Sequence, residues 1–209
     1  MPKNIKAPWW DKAISHLSEN DKILKKIISE HKESYLQYRG DPFKALCRTI
    51  IGQQISVKAA DSVWKNIELN ITKIKPHSFL DYGIKNIKKC GTSEKKAEYL
   101  FYLANHFIKN KNFTKNIEPL SDEKVKKELC NLKGIGPWSA EMFLMFCLLR
   151  PDILPIGDLG LRKAIGLNYF NKKLPSDEEI GKISHKWKPY RSAATWLLWR
   201  SIDPITIDY

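Results

Sequence analysis

The chain has 209 residues, 43% of them hydrophobic and 11% aromatic, enough for one large domain or two small lobes with a sizeable core. Its 36 Lys and Arg against 23 Asp and Glu give a formal charge of +13 and a pI near 9.5. Such an excess favours a polyanionic partner, nucleic acid or an anionic membrane surface, although a coding bias toward Lys, Asn and Ile would produce the same charge. Residues 1–10 show no apolar core or small-residue cleavage site of a secretory signal, and the longest apolar run, residues 142–149, falls far short of the about 20 residues that span a bilayer.

In chain order the pattern is helix after helix. Asp41-Pro42 reads as an N-cap with proline at the first helical position, opening a helix through Phe43, Leu46, Cys47 and Ile50. Ser56 caps the next, which carries Val57, Ala60, Val63, Trp64 and Ile67. Between Ser93 and Asn110 the set Ala97, Leu100, Phe101, Ala104, Phe107 and Ile108 follows helical spacing. Ser121 to Asn131 is a charged amphipathic helix with Val125, Leu129 and Cys130. Leu132 to Gly136 forms a turn, and Pro137 opens a buried helix expected to run to about Leu149.

Ser176 and Glu179 have capping-box spacing ahead of Ile180 and Ile183, and Pro189 is expected to start a last helix bearing Ala193, Trp196, Leu197 and Trp199. Strand-like alternation is nearly absent, as are repeats and low-complexity linkers, so the fold class is all-α. Cys47, Cys90, Cys130 and Cys147 are scattered with no C-x-x-C pair. That suits reduced thiols in a cytosolic compartment and argues against a zinc site or an iron–sulfur cluster.

Chemistry concentrates at Leu132-Lys133-Gly134-Ile135-Gly136-Pro137-Trp138 and at Asp158, twenty residues beyond Trp138. Glycines at 134 and 136 permit positive φ and leave their N–H groups uncovered. Those groups, with the positive end of the following helix, can hold a DNA phosphate without reading sequence. A lone G-x-G also serves as an ordinary helix–helix turn. Asp158 precedes Leu159-Gly160-Leu161-Arg162-Lys163-Ala164-Ile165, a short helix for which Asp is a favoured cap. Capping and catalysis are compatible, because a cap holds the carboxylate rigid.

At these residues the chain resembles the helix-hairpin-helix DNA glycosylases, most closely the DNA-3-methyladenine glycosylase II branch. The resemblance rests on Leu-x-Gly-Ile-Gly-Pro-Trp-Ser-Ala-Glu at 132–141 followed by Asp158-Leu159-Gly160-Leu161-Arg162. It is supported by Ile51-Gly52-Gln53-Gln54-Ile55-Ser56, by Cys90-Gly91-Thr92-Ser93 with Lys96-Ala97, and by Trp187-Lys188-Pro189-Tyr190-Arg191-Ser192. It extends from about Trp9 to Pro204 and has no room for the extra N-terminal β-domain of some members. It implies a two-lobed helical protein with a cleft between lobes. Residues 42–150 form the central lobe, and residues 1–41 pack with 151–209, the part that carries Asp158.

By that resemblance Asp158 is the catalytic residue, and Trp138, Trp199 and Met142 belong to the base pocket. The DNA contacts are Lys133, Gly134, Ile135, Gly136, Gln53, Gln54, Ile55, Ser56 and Arg162. A sodium or potassium ion held by the backbone at Leu132 and Ile135 is implied as a structural group, and no cofactor is required. Trp64 and Trp196 read as core. The wedge that fills the gap left by an extruded base lies in the 52–56 turn, with Gln54 at the matching position, where the prototype has an apolar residue. Ile55 is the other candidate, and both glutamines can simply cap helix ends. Met142 and Leu159 stand where the prototype has tyrosines.

A stacked base must be rotated out before its glycosidic bond can be cut. Alkylated purines are cationic, so aromatic faces attract them and they leave readily. One carboxylate can then suffice, stabilising the sugar cation that develops. Relatives that also cleave the backbone carry a lysine nucleophile at the position of Trp138, so the expectation is a monofunctional N-glycosyl hydrolase. It would act as a monomer on damaged double-stranded DNA, without a membrane, in the bacterial cytoplasm or a eukaryotic nucleus. Its substrates would be 3-methyladenine and 7-methylguanine. A glycosylase for deaminated, etheno or oxidised bases shares these features, and a non-catalytic damage-binding homologue is expected to lack the carboxylate. A ribosomal or membrane-surface protein would explain the charge but not the hairpin.

Overall fold

Short polar side chains delimit most of the helices, each offering an oxygen to an N–H that has no partner inside the first turn. In the computed structural model, which describes residues 5–203, Asp21, Asp41, Ser56, Ser93, Ser121, Asp158 and Ser176 all cap in this way. Ser176 and Glu179 complete a reciprocal capping box. The outermost residues of the two expected lobes, Pro204 among them, and the side chain of Val57 lie outside the described residues.

The elements in order are α1 (Trp10–Asn20), α2 (Lys22–Glu30), α3 (Pro42–Gly52), α4 (Val57–Asn70), α5 (Pro76–Lys89), α6 (Glu94–Lys109), α7 (Phe113–Ile117), α8 (Asp122–Cys130), α9 (Pro137–Phe146), α10 (Leu159–Tyr169), α11 (Asp177–Ser184), a 3-10 turn (His185–Trp187) and α12 (Arg191–Ile202). Among the described residues there is no strand, only one antiparallel bridge between Lys6 and Gln37. The fold is all-helical, and no described helix is long and apolar enough to cross a membrane.

The chain divides into two compact units. One runs from Arg39 to Cys147 and holds α3 to α9. There α3 packs against α4, α6 and α9, and α5 lies along α6. Phe43 meets Phe79 and Phe107 edge-on at 5.3 and 5.4 Å, and Leu46, Ile50, Leu100, Leu129 and Phe143 complete a buried apolar centre.

The other unit joins the segment through Tyr38 to the segment from Leu148 onward. Its central element is α12, packed on α1, α2 and α10. Asp21 ties this unit together. Its Oδ1 caps α2, while Oδ2 accepts the Tyr169 hydroxyl at 2.6 Å and the Trp187 indole N–H at 2.8 Å.

Two helix ends depart from expectation. The helix after the hairpin stops at Phe146 rather than near Leu149. The Phe146 carbonyl, which a continuing helix would use, accepts the Arg39 amide at 3.0 Å. Leu149 itself adopts a left-handed φ of 49°. The last helix starts at Arg191, two residues after Pro189. There the Arg191 amide and guanidinium bind Asp152, and the Ser192 amide binds the Pro151 carbonyl at 2.9 Å. These contacts occupy the first-turn N–H groups and so set where α12 begins. Cys47, Cys90, Cys130 and Cys147 are all free, and burial pushes the Cys147 thiol up to about 12, which keeps it protonated and unreactive.

Candidate active site

Within the Arg39–Cys147 unit, the turn between α8 and α9 is closed by the Leu132 amide on Leu129 O at 3.0 Å and the Ile135 amide on Leu132 O at 3.1 Å. Among the described residues neither the Gly134 nor the Gly136 amide is engaged by a protein acceptor. Gly134 has φ +85° and lies directly over Tyr99 of α6, whose ring a Cβ at 134 would strike. Both facts require glycine there.

Gly136 differs from the expectation of a positive φ. It is the extended N-cap of α9 at φ −98°, and a Cβ there would meet nothing. Its place next to Pro137 explains this, because the residue before proline is pushed toward extended backbone. Lys133 stands over the Tyr102 ring at 4.2 Å. Trp138 is half-buried at the start of α9, while Met142, one turn on, is buried.

The 53–56 turn meets the hairpin through one side chain. Gln53 Nε2 donates to Gly134 O at 2.7 Å and to Ser139 Oγ at 3.0 Å. The Gln53 carbonyl in turn accepts from Lys96 Nζ at 2.7 Å, and Lys96 also holds Ile51 O at 2.7 Å. Burial pushes the Lys96 ammonium below the ordinary lysine range. Gln54 is exposed with a left-handed φ of 58°, Ile55 is 41% exposed, and Ser56 caps α4. So the tip of the turn faces outward while Gln53 turns inward.

In the second unit Asp158 is the N-cap of α10 and only 7% exposed. Its Oδ1 accepts the Leu161 amide at 2.6 Å and the Trp199 indole N–H at 2.9 Å. Trp199, on α12, is 1% exposed, so here it is a buried partner of the carboxylate. Gly160 makes room for this pair, since a Cβ there would lie 3.1 Å from Asp158 Oδ1 and 3.4 Å from Trp199 Nε1. Arg162 spends its guanidinium on Ile156 O, Pro175 O and Asp177, which braces the loop leading to Asp158. Leu159, beside Asp158, is 68% exposed. Trp64 and Trp196 are core.

Sequence reasoning left Lys96, Tyr99 and Ser139 without roles, although Lys96 and Ser139 stand inside the quoted motifs. It also had no signal that the Trp199 N–H would hold Asp158. A glycine hairpin leading into a helix and, on a second unit, a capped, buried carboxylate bound by an indole are the two features on which the resemblance to the helix-hairpin-helix DNA glycosylases rests. Residues 47–189 match the HhH-GPD superfamily of base excision DNA repair proteins, and the chain belongs to that family.

The chain is 32% identical to DNA-3-methyladenine glycosylase 1 of Schizosaccharomyces pombe, covering 90% of this chain and 84% of that protein. It is 33% identical to the DNA-3-methyladenine glycosylase of Saccharomyces cerevisiae, covering 90% and 78%. The S. pombe 3-methyladenine DNA glycosylase solved in complex with abasic DNA superposes with a TM-score of 0.81 at 29% identity, covering 95% of this chain and 99% of that one.

Proposed function

We propose that this protein is a monofunctional DNA glycosylase that excises alkylated purines from double-stranded DNA, acting as a monomer. The observation that carries the reading is the fixed carboxylate of Asp158, gripped through Oδ1 by a backbone amide and an indole N–H at the start of α10. A carboxylate already oriented costs no reorganisation when positive charge develops on the sugar, which is where electrostatic stabilisation acts. The electron pair of the breaking glycosidic bond leaves with the base, whose own positive charge it neutralises. Water then adds to the sugar carbon and loses a proton, leaving an abasic site. With Trp138 at the position of the lyase lysine, that position offers no amine for a Schiff base, and the backbone is expected to stay intact.

The hairpin amides of Gly134 and Gly136, with Lys133, take a phosphate, and the exposed Gln54 and Ile55 fill the gap left by the rotated nucleotide. Trp138 offers an aromatic face to a cationic base. A monovalent cation would be held by the backbone carbonyls of Leu132 and Ile135. The Leu132 carbonyl accepts one N–H and keeps a second lone pair, whereas the Gly134 carbonyl is engaged by Gln53. Such an ion would add positive charge beside the phosphate.

The test is excision across a panel of defined lesion duplexes, corrected for spontaneous depurination, with product analysis. The expected result is faster release of 3-methyladenine and 7-methylguanine than of hypoxanthine or ethenoadenine, uncleaved product strands, and no adduct trapped by borohydride. Preferential release of neutral bases would move the function to deaminated or etheno lesions. A borohydride-trapped adduct would make the protein a lyase, and no excision of any lesion would make it a damage-binding protein.

A further inference from the structure

The Gln53 side chain joins two surfaces 81 residues apart in sequence. Its amide holds the hairpin at Gly134 O and the buried Ser139 hydroxyl, its carbonyl is held by Lys96, and the residue after it begins the exposed tip. Lys96 lies in the first turn of α6, and Tyr99, one turn on, is the ring beneath Gly134. The start of α6 therefore supports both the turn and the hairpin. Each bond is short, between 2.7 and 3.0 Å, and Lys96 closes the carbonyls of Ile51, in the last turn of α3, and of its C-cap Gln53.

We infer that Gln53 and Lys96 are positioning residues that hold the Gln54–Ile55 tip and the Gly134 hairpin as one rigid element, so that a phosphate seated on the hairpin fixes where the tip enters the duplex. The inference rests on the reading of the hairpin as the phosphate site and of the tip as the gap filler. A tip on an unbraced turn could still touch DNA, but insertion between bases needs placement to within about 0.5 Å, which only a braced turn supplies. Gln54 in the left-handed region strengthens the case. This conformation is unfavourable for a residue other than glycine and persists where its surroundings over-determine it.

The test uses full-length protein and a duplex with a tetrahydrofuran abasic site facing 2-aminopurine. That duplex has no base to excise, so failure here is separate from failure of the alkylpurine reading. The variants are Gln53→Met, which removes the donor to Gly134 O without adding charge, and Lys96→Met, which removes the donor to both carbonyls. Lys96→Arg is the conservative control. In the first two, the 2-aminopurine response at saturating protein is expected to fall by about threefold or more. Affinity for undamaged duplex should stay within about twofold, because the phosphate-binding amides are unchanged. Lys96→Arg, which keeps two donors, should restore the response. Thermal melting confirms that each variant is folded, and Gln53→Leu replaces Gln53→Met if the latter is not. A full response in folded Gln53→Met and Lys96→Met would overturn the inference. So would an equal loss of undamaged-duplex affinity, which would mean that these residues support only the hairpin.

Discussion

The indole N–H of Trp199 donates to Asp158 Oδ1 at 2.9 Å, the same oxygen that receives the Leu161 amide at 2.6 Å. Two donors on one oxygen fix the carboxylate plane, and the pair is close because Gly160 leaves a gap beside it. A residue that caps a helix is thereby also held from a second helix, α12, across 41 residues of sequence. The catalytic role proposed for Asp158 requires rigidity of this kind, although firm holding is not specific to it, since the cap Asp21 is held from other elements as well.

Asp158→Asn tests the charge alone. Asparagine keeps an oxygen for Leu161 and Trp199, so folding and lesion-DNA affinity should change little. Loss of the negative charge should slow single-turnover base release by about a hundredfold or more, since each 1.36 kcal/mol of transition-state stabilisation is tenfold. Near-normal release by a folded Asp158→Asn protein would reduce Asp158 to a cap.

Gly160→Ala tests the geometry. Alanine is the better helix former by up to about 1 kcal/mol in a helix interior, and at this first-turn position that gain opposes the crowding against Asp158 and Trp199, so melting temperature should change little. The added Cβ, 3.1 Å from Oδ1, must displace the carboxylate or the indole by a few tenths of an ångström. Base release should fall about tenfold while stability does not, a split that a purely structural glycine would not give. Trp199→Phe, which removes the N–H, should likewise slow release about tenfold with little change in affinity for lesion DNA. Unchanged single-turnover rates in both variants would remove Trp199 from the positioning of Asp158.

How far the sequence is legible follows from the range of each interaction. Caps act over two or three residues, so Asp41, Ser56, Ser93, Ser121, Asp158 and Ser176 can all be read from local pattern. The end of α9 cannot, because the amide that takes the Phe146 carbonyl belongs to Arg39, far away in the chain. The same applies within the candidate site. Gly134 is legible as a turn glycine, but the ring that excludes any side chain there comes from α6. Gln53 reads equally well as a helix end or a DNA contact, and only its bond to Gly134 O decides which way it faces. Arg162 looks like one more basic residue beside a catalytic motif until Ile156, Pro175 and Asp177 are found around it.

Binding to duplex DNA should depend steeply on salt. If Gly134, Gly136 and nearby lysines engage about four phosphates, the log–log slope of affinity against salt should be roughly −3 to −4. Lys133, which stands over Tyr102, is one of them, so Lys133→Ala should reduce the slope by about one without changing lesion preference. A slope near zero in fluorescence anisotropy would separate the +13 charge from DNA binding.

Stability should depend on acid through Asp21. Burial alone would raise its carboxyl. The bonds from Tyr169, Trp187, the Leu24 amide and Lys186 outweigh that, and the net direction is down. A carboxylate lowered in the folded state binds protons less tightly there than in the unfolded chain, where its value is about 3.9. Its contribution is therefore complete at neutral pH, begins to fade near the unfolded value, and is lost as pH falls through the folded one. Asp21→Ala leaves the Tyr169 hydroxyl and the buried Trp187 indole without their acceptor and uncaps α2, which should cost about 3–5 kcal/mol at neutral pH. The melting temperature should then drop by roughly 10 °C. Because the variant has no carboxylate at this position to protonate, its deficit relative to the native protein should narrow as pH is lowered below about 4. Urea denaturation of both proteins between neutral and acid pH provides the measurement, and a deficit that stays constant across that range would show that the Asp21 charge plays no part in holding this unit together.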